Sequence, residues 1–276
     1  MNLFTRVVNS RLNLARVIYK GLWKLVLKTI EYFQFFKVSS KVQNQLFQRV
    51  QLDRELGIKK LDGIMLKFFG KSYSENSAGS EHLVLFSSIS LKNQKIKKIL
   101  EIGTFDGRTA LILSKLFPES EIVTMDLPQS SDVFKNTYGR NLTSEIFANE
   151  RNKILSKGAN IKFEEADSIT LTYKIDNFDL IWVDGSHGYP FIAMDIVNSL
   201  RLSRVGGYIL IDDIWKTPYK SDKYYKSVGG FESLEALKKA NVIDSYFLIN
   251  KRLGGQYNYP SAKKYVALIR KSNEKC

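Results

Sequence analysis

From Lys97 onward the chain repeats one unit: a short apolar run that stops on an acid or a glycine, followed by a stretch with apolar residues three and four apart. The runs are "KKILEIG", "SEIVTMD", "ANIKFEEAD", "FDLIWVD" and "GGYILIDD"; "RTALILSKL" follows the first and "PFIAMDIVNSLRL" separates the last two. Strands this short and this apolar are buried on both faces. Their alternation with helical spacing therefore predicts an α/β domain with a parallel sheet, helices on both sides and ligands at the carboxyl ends of the strands. The tail breaks the rhythm. "FESLEALKKA" reads as a helix, and "VIDSYFLIN" and "KKYVALIRK" read as two strands that close the sheet with an antiparallel edge.

Residues 1–77 read differently, as a helical front section preceding a domain that spans 78–276. "QNQLFQRVQL" and "LDGIMLKFFG" have helical spacing, the polar "KSYSENSAGS" interrupts, and "EHLVLFSSIS" resumes as a helix. Residues 1–95 hold 16 Lys or Arg against 6 Asp or Glu, which is +10 of the chain's +14. Residues 1–30 contain no acid, and Arg16, Lys20, Lys24 and Lys28 draw one basic stripe opposite Leu14, Ile18, Leu22 and Leu25, with Tyr19 and Trp23 at the border. Such a helix, within residues 1–36, can lie on an anionic membrane surface. Packing on the chain's own body, a contact in a homo-oligomer and a targeting segment are the alternatives. No run of about 18 uncharged apolar residues occurs, so no ordinary membrane-spanning helix is expected. The single cysteine is Cys276, which excludes an internal disulfide and a thiolate metal cluster. These features predict a cytoplasmic protein, at most peripheral on the cytoplasmic face of a membrane.

The strand exits carry the chemistry. "EIGTFDGRT" sets Gly103 and Gly107 in the turn before a helix, where backbone can approach a ligand and offer free N–H groups. The glycine spacing is not the dinucleotide fingerprint. Asp126 ends the second strand, where an acid can accept ribose hydroxyls, and Asp167 ends the third, within reach of an adenine amino group.

This layout resembles the class I S-adenosylmethionine-dependent methyltransferases over residues 78–270. The resemblance implies a Rossmann-like, seven-stranded, mostly parallel sheet with an antiparallel last strand. It implies S-adenosylmethionine held by Glu101, Gly103, Thr104, Phe105, Gly107, Thr109, Asp126, Asp167, Ser168 and Asp184, with Ser80 and Glu81 closing over it from a helix start. Val183, Asp184, Gly185, His187, Tyr189, Asp195, Gly206, Gly207, Asp212 and Asp213 are similar to the pattern of the macrocin-type sugar O-methyltransferases. In metal-dependent members that pattern implies Mg2+ on Asp184, Asp212 and Asp213, with His187 as base.

Physical chemistry supports the same expectation. Adjacent parallel strands lie about 4.8 Å apart, so Asp184 and the Asp212–Asp213 pair can meet above the sheet. Crowded carboxylates repel unless a cation separates them, and oxygen ligands favour a hard divalent ion. Metal binding lowers the pKa of an acceptor hydroxyl, and a neutral His187 can take its proton. Strand alternation would turn one of Asp212 and Asp213 away. His82 reads as structural, and Asp195 as orienting a loop. Trp215, Tyr219, Tyr224, Tyr225, Tyr257 and Tyr259, with Lys216, Lys220, Lys223 and Lys226, suggest a small-molecule or glycan acceptor, anionic in character. A nucleic-acid methyltransferase and a non-catalytic binding protein on the same fold are the rival readings.

Overall fold

The computed structural model describes residues 19, 21–23, 25–26, 40–74, 80–93, 95–138, 143–216, 227–251 and 264–271, with backbone alone at 80, 137, 138 and 144. Ahead of the sheet lie α1 (Ser40–Arg49), α2 (Arg54–Phe69) and α3 (Ser80–Lys92). The alternating part follows as β1 (Lys98–Ile102), α4 (Arg108–Leu116), β2 (Glu121–Asp126), α5 (Asp132–Tyr138), α6 (Ser144–Leu155), β3 (Ile161–Glu165) and a 3-10 turn over Ser168–Tyr173. It continues through β4 (Phe178–Val183), α7 (Phe191–Leu202), β5 (Ser203–Trp215), α8 (Gly229–Lys239), β6 (Phe247–Asn250) and β7 (Lys264–Arg270).

The strands form one sheet in the order β3-β2-β1-β4-β5-β7-β6, and β7 alone runs against its neighbours. This is the Rossmann-like methyltransferase topology expected from the sequence. Because the parallel strands are covered on both faces, their inward residues divide into two cores. Leu180, Trp182, Tyr208 and Leu210 face one core, shared with α4 and with Phe47, Leu61, Val84 and Phe86 from α1, α2 and α3. Ile181, Val183, Ile209 and Ile211 face the other, shared with Ile192, Ile196 and Leu200 of α7 and Leu234 of α8. Helices α1 and α2 of the front section are thus built onto the sheet's own core.

Arg54 at the start of α2 fixes that attachment. Its Nη2 and Nε donate to Glu81 Oε1 and Oε2 at 2.8 and 3.1 Å, with both side chains out of water. Glu81, expected over the cofactor, instead joins α2 to α3. The same helix opens on Asp53, whose Oδ1 accepts the Leu56 N–H at 3.0 Å, and closes on Gly70 in the left-handed region. Asp53→Ala should lower stability by about 1 kcal/mol, read from the midpoint of urea unfolding.

Of the basic front helix, residues 19, 21–23, 25 and 26 are helical, and Tyr19, Leu22, Trp23, Leu25 and Val26 are all exposed. The stripe formed by Arg16, Lys20, Lys24 and Lys28 lies outside the described residues. Among the described residues no helix is long and apolar enough to cross a membrane.

Candidate active site

The carboxyl ends of β1, β2, β4 and β5 meet at one place. Gly103 leaves β1 at φ +98°, and a Cβ built there would stand 2.3 Å from the Asp184 carbonyl oxygen. Only glycine lets the exits of β1 and β4 touch. Beyond it, the Phe105 N–H donates to Asp126 Oδ2 at 2.8 Å, while Asp126 Oδ1 accepts the Leu127 N–H at 2.8 Å. Phe105 has φ +49° and leans its ring on Phe147, 5.5 Å between centroids. Gly107, at φ +79°, delivers the chain into α4. Gly103→Ala should cost about 1–3 kcal/mol in stability and remove cofactor binding, measured by thermal shift with and without S-adenosylhomocysteine.

Beneath this turn Glu101 is fully buried. Thr124 Oγ1 donates to its Oε2 at 2.5 Å, and the Thr104 and Thr124 hydroxyls are 2.7 Å apart. Burial, together with the charges of Asp126 and Asp106, pushes the Glu101 carboxyl up to about 8 despite the Thr124 bond. Among the described residues Glu101 Oε1, Ser186 Oγ, His187 Nδ1 and Asp195 Oδ2 are buried side-chain atoms without a hydrogen-bond partner. A bound ligand or water can complete the bonding of such atoms. Asp167 supports the shape of the site: its carboxylate accepts the Ile169 N–H at 3.0 Å and caps the 3-10 turn. Ser168 hydrogen-bonds Asp195, whose carboxyl burial pushes up to about 7. Thr109 lies in the first turn of α4, half-buried.

The acids converge in a way alternation alone would forbid. Between Ile211 and Ile214 the β5–β7 register slips, so Asp212 and Asp213 together oppose Val266, and Asp213 takes φ +55°. Two residues facing one is a β-bulge, and it turns both carboxylates to the same spot. That spot holds ammonium groups. Lys251 Nζ donates to both Asp212 oxygens at 2.6 Å and to Asp213 Oδ1 at 3.0 Å, and Lys264 Nζ also pairs with Asp213 Oδ1. Burial alone would raise the Asp212 carboxyl, but Lys251, His82 and Lys264 hold it far below the usual carboxylate range. Burial alone would lower Lys251, but Asp212 and Asp213 hold it above the usual ammonium range.

Asp184 and His187 stand beside this cluster. His187 Nε2 is 3.5 Å from Asp184 Oδ1 and 3.8 Å from Asp213 Oδ2. Its imidazole is only 13% exposed, and burial lowers its pKa despite the carboxylates nearby. Burial and the negative charge of Asp212 push the Asp184 carboxyl well above its ordinary range.

The expected metal centre does not fit these residues. Asp184, Asp212 and Asp213 do come together, but two of the three are already neutralised, and among the described residues no group of three or more His, Cys, Asp or Glu is arranged to hold an ion. The sequence reading missed Lys251 and Lys264. The available signal was weak: each ends or opens an apolar run, and a lysine there needs an acid partner. Other expected residues play other parts. His82 lies in the core against Trp182, ring centroids 4.7 Å apart, and burial lowers its pKa to about 3. Trp215 is a core residue of β5 rather than an acceptor platform, and Lys216 lies over the rings of Phe231 and Tyr265. Tyr219, Tyr224, Tyr225, Tyr257, Tyr259, Lys220, Lys223 and Lys226 lie outside the described residues.

Residues 100–214, from the middle of β1 to the residue after the acid pair, match the model of a methyltransferase domain family. Over this stretch the chain is similar to a methyltransferase domain, and its sheet has the Rossmann-like fold described above. Over 118 residues it is 30% identical to the fatty-acid O-methyltransferase of Mycolicibacterium smegmatis, a match covering 42% of this chain and 37% of that enzyme. The domain's fold is similar to that of TomG, an O-methyltransferase of Streptomyces achromogenes involved in tomaymycin synthesis and solved with S-adenosylmethionine. The TM-score is 0.52 at 16% identity, covering 83% of this chain and 96% of that one. It is similar in the same degree to an O-methyltransferase of Bacillus cereus in complex with S-adenosylhomocysteine, with a TM-score of 0.52, 14% identity and coverage of 83% and 96%.

Proposed function

We propose that the chain is an S-adenosylmethionine-dependent O-methyltransferase that acts on a hydroxyl of a small acceptor, a sugar or a related metabolite. The observation carrying this reading is His187: a largely enclosed imidazole beside two carboxyl groups, with Nδ1 lacking any partner among the described residues. A neutral imidazole has one N–H and one lone pair. With Nε2 turned toward Asp184 and Asp213, the proton belongs on Nε2 and the lone pair on Nδ1. The acceptor hydroxyl would lose its proton to Nδ1 as its oxygen bonds the methyl carbon, and the carboxyl groups would stabilise the imidazolium formed.

The residues around the first turn suit the cofactor. Gly103 keeps side chains out of the turn, Asp126 ends β2 where a carboxylate can accept ribose hydroxyls, and Glu101 Oε1 awaits a donor. When bound, S-adenosylmethionine supplies an electrophilic methyl group on a sulfonium. The sugar class rests on the resemblance of the motif running from Val183 to Asp213.

A second reading follows from the Mycolicibacterium smegmatis relative, whose name specifies a fatty acid. A carboxylate acceptor carries no proton and needs no base. Methyl-labelled cofactor incubated with cell extract, followed by identification of the product, separates the two: a methyl ether supports the hydroxyl reading, a methyl ester the carboxylate reading.

A further inference from the structure

We propose that Lys251 and Lys264 are the resident cations of this site, standing where a divalent ion would otherwise be needed, so that the chain carries out its chemistry without a metal. The inference rests on the methyltransferase reading for what the site does, but its geometry stands apart from that reading.

An ammonium has three protons to donate, and Lys251 places all three contacts on the acid pair: both oxygens of Asp212 and one of Asp213. Lys264 adds a second positive charge on the same Asp213 oxygen. Two carboxylates and two ammonium groups sum to zero, so the repulsion that would recruit a divalent ion is already relieved. A magnesium ion demands near-octahedral oxygen ligands at about 2.0–2.1 Å. Here both Asp212 oxygens are engaged by nitrogen, and an incoming dication would face two like charges.

The lysines are built into place rather than swept in from the surface. Their side chains are 5% and 9% exposed, as sequestered as the acids they hold. The Lys251 N–H donates to the Lys264 carbonyl at 2.8 Å, so the two residues pair as the ends of one hairpin, β6 to β7. Hydrogen bonding of β7 to β5 brings them to the bulge, with Lys264 in register with Trp215. The cations are therefore delivered by the sheet itself.

The test is a Mn2+ titration of the full chain with S-adenosylhomocysteine present, followed by electron paramagnetic resonance of free Mn2+. At free Mn2+ of about 1 mM, the weak end of protein divalent sites, the wild type should retain no stoichiometric ion. The double variant Lys251→Ala, Lys264→Ala should bind Mn2+ at least about tenfold more tightly than the wild type, and adding Asp212→Asn should abolish the gain. Methyl transfer by the wild type should be unchanged by excess chelator. One Mn2+ per wild-type chain, lost on Asp212→Asn, would overturn the proposal even if the lysine variants fail to fold, and so would chelator-sensitive turnover restored by Mg2+. Failure to bind S-adenosylhomocysteine would count against the methyltransferase reading alone, since Mn2+ binding is read in the same samples.

Discussion

His187→Gln should lower methyl transfer by about 10²–10⁴-fold while leaving the affinity for S-adenosylhomocysteine within about twofold of the wild type. Glutamine approximates the imidazole in size and polarity but cannot accept a proton at neutral pH. The variant therefore removes the proposed base without opening a large cavity. The pH profile carries the same information. Because burial lowers the pKa of His187, the imidazole is neutral at pH 7 and remains so somewhat below 6.5. The rate should stay level as pH falls from 8 through 6.5 and decline only below that, with the base form lost. An ordinary, exposed histidine would already have cost half the rate at about 6.5. Measuring kcat/KM from pH 5 to 8 in wild type and variant distinguishes a base from a packing residue, because a packing role would scale the rate without moving the inflection.

Lys251→Ala should destabilise the fold by about 3–5 kcal/mol, the cost of leaving a buried charge without its partner. In the wild type the Asp212 carboxyl lies far below the usual range, so its contribution is complete at neutral pH and is lost only as pH falls below ordinary carboxylate values. Without Lys251 burial dominates and the pKa of Asp212 rises. The deficit should then shrink as pH is lowered from 8 to 5, because the carboxyl can take up a proton and shed its charge. Urea unfolding midpoints at several pH values, at constant m, read both the size and the direction. An unchanged midpoint at pH 8 would show that Lys251 does not compensate the acid pair.

The contrast between these residues shows what a sequence can disclose. The strands of the alternating part and their terminal acids were legible because burial on both faces imposes continuous apolar runs, and the polar residue ending each run marks its exit. Gly103 was legible for the same reason, although the contact that requires glycine, the Asp184 carbonyl, lies on another strand. The bulge was not legible. Alternation predicts that Asp212 and Asp213 diverge, and only pairing with β7 makes two residues oppose Val266. Lys251 lies 39 positions from Asp212, and Arg54 lies 27 from Glu81. Ion pairs of that span leave no periodic trace. The start of β6 was also misplaced: in "VIDSYFLIN" the strand begins at Phe247, because the Val242 N–H bonds back to the Leu237 carbonyl and Ile243 is buried at the end of α8.

Transfer of labelled methyl from S-adenosylmethionine into an extract, scored by the atom that receives it, tests the central claim most directly. The account predicts an O-methyl ether whose formation requires His187 and proceeds in excess chelator. A product methylated on nitrogen or carbon, or an O-methyl ether formed equally fast by His187→Gln, would contradict it.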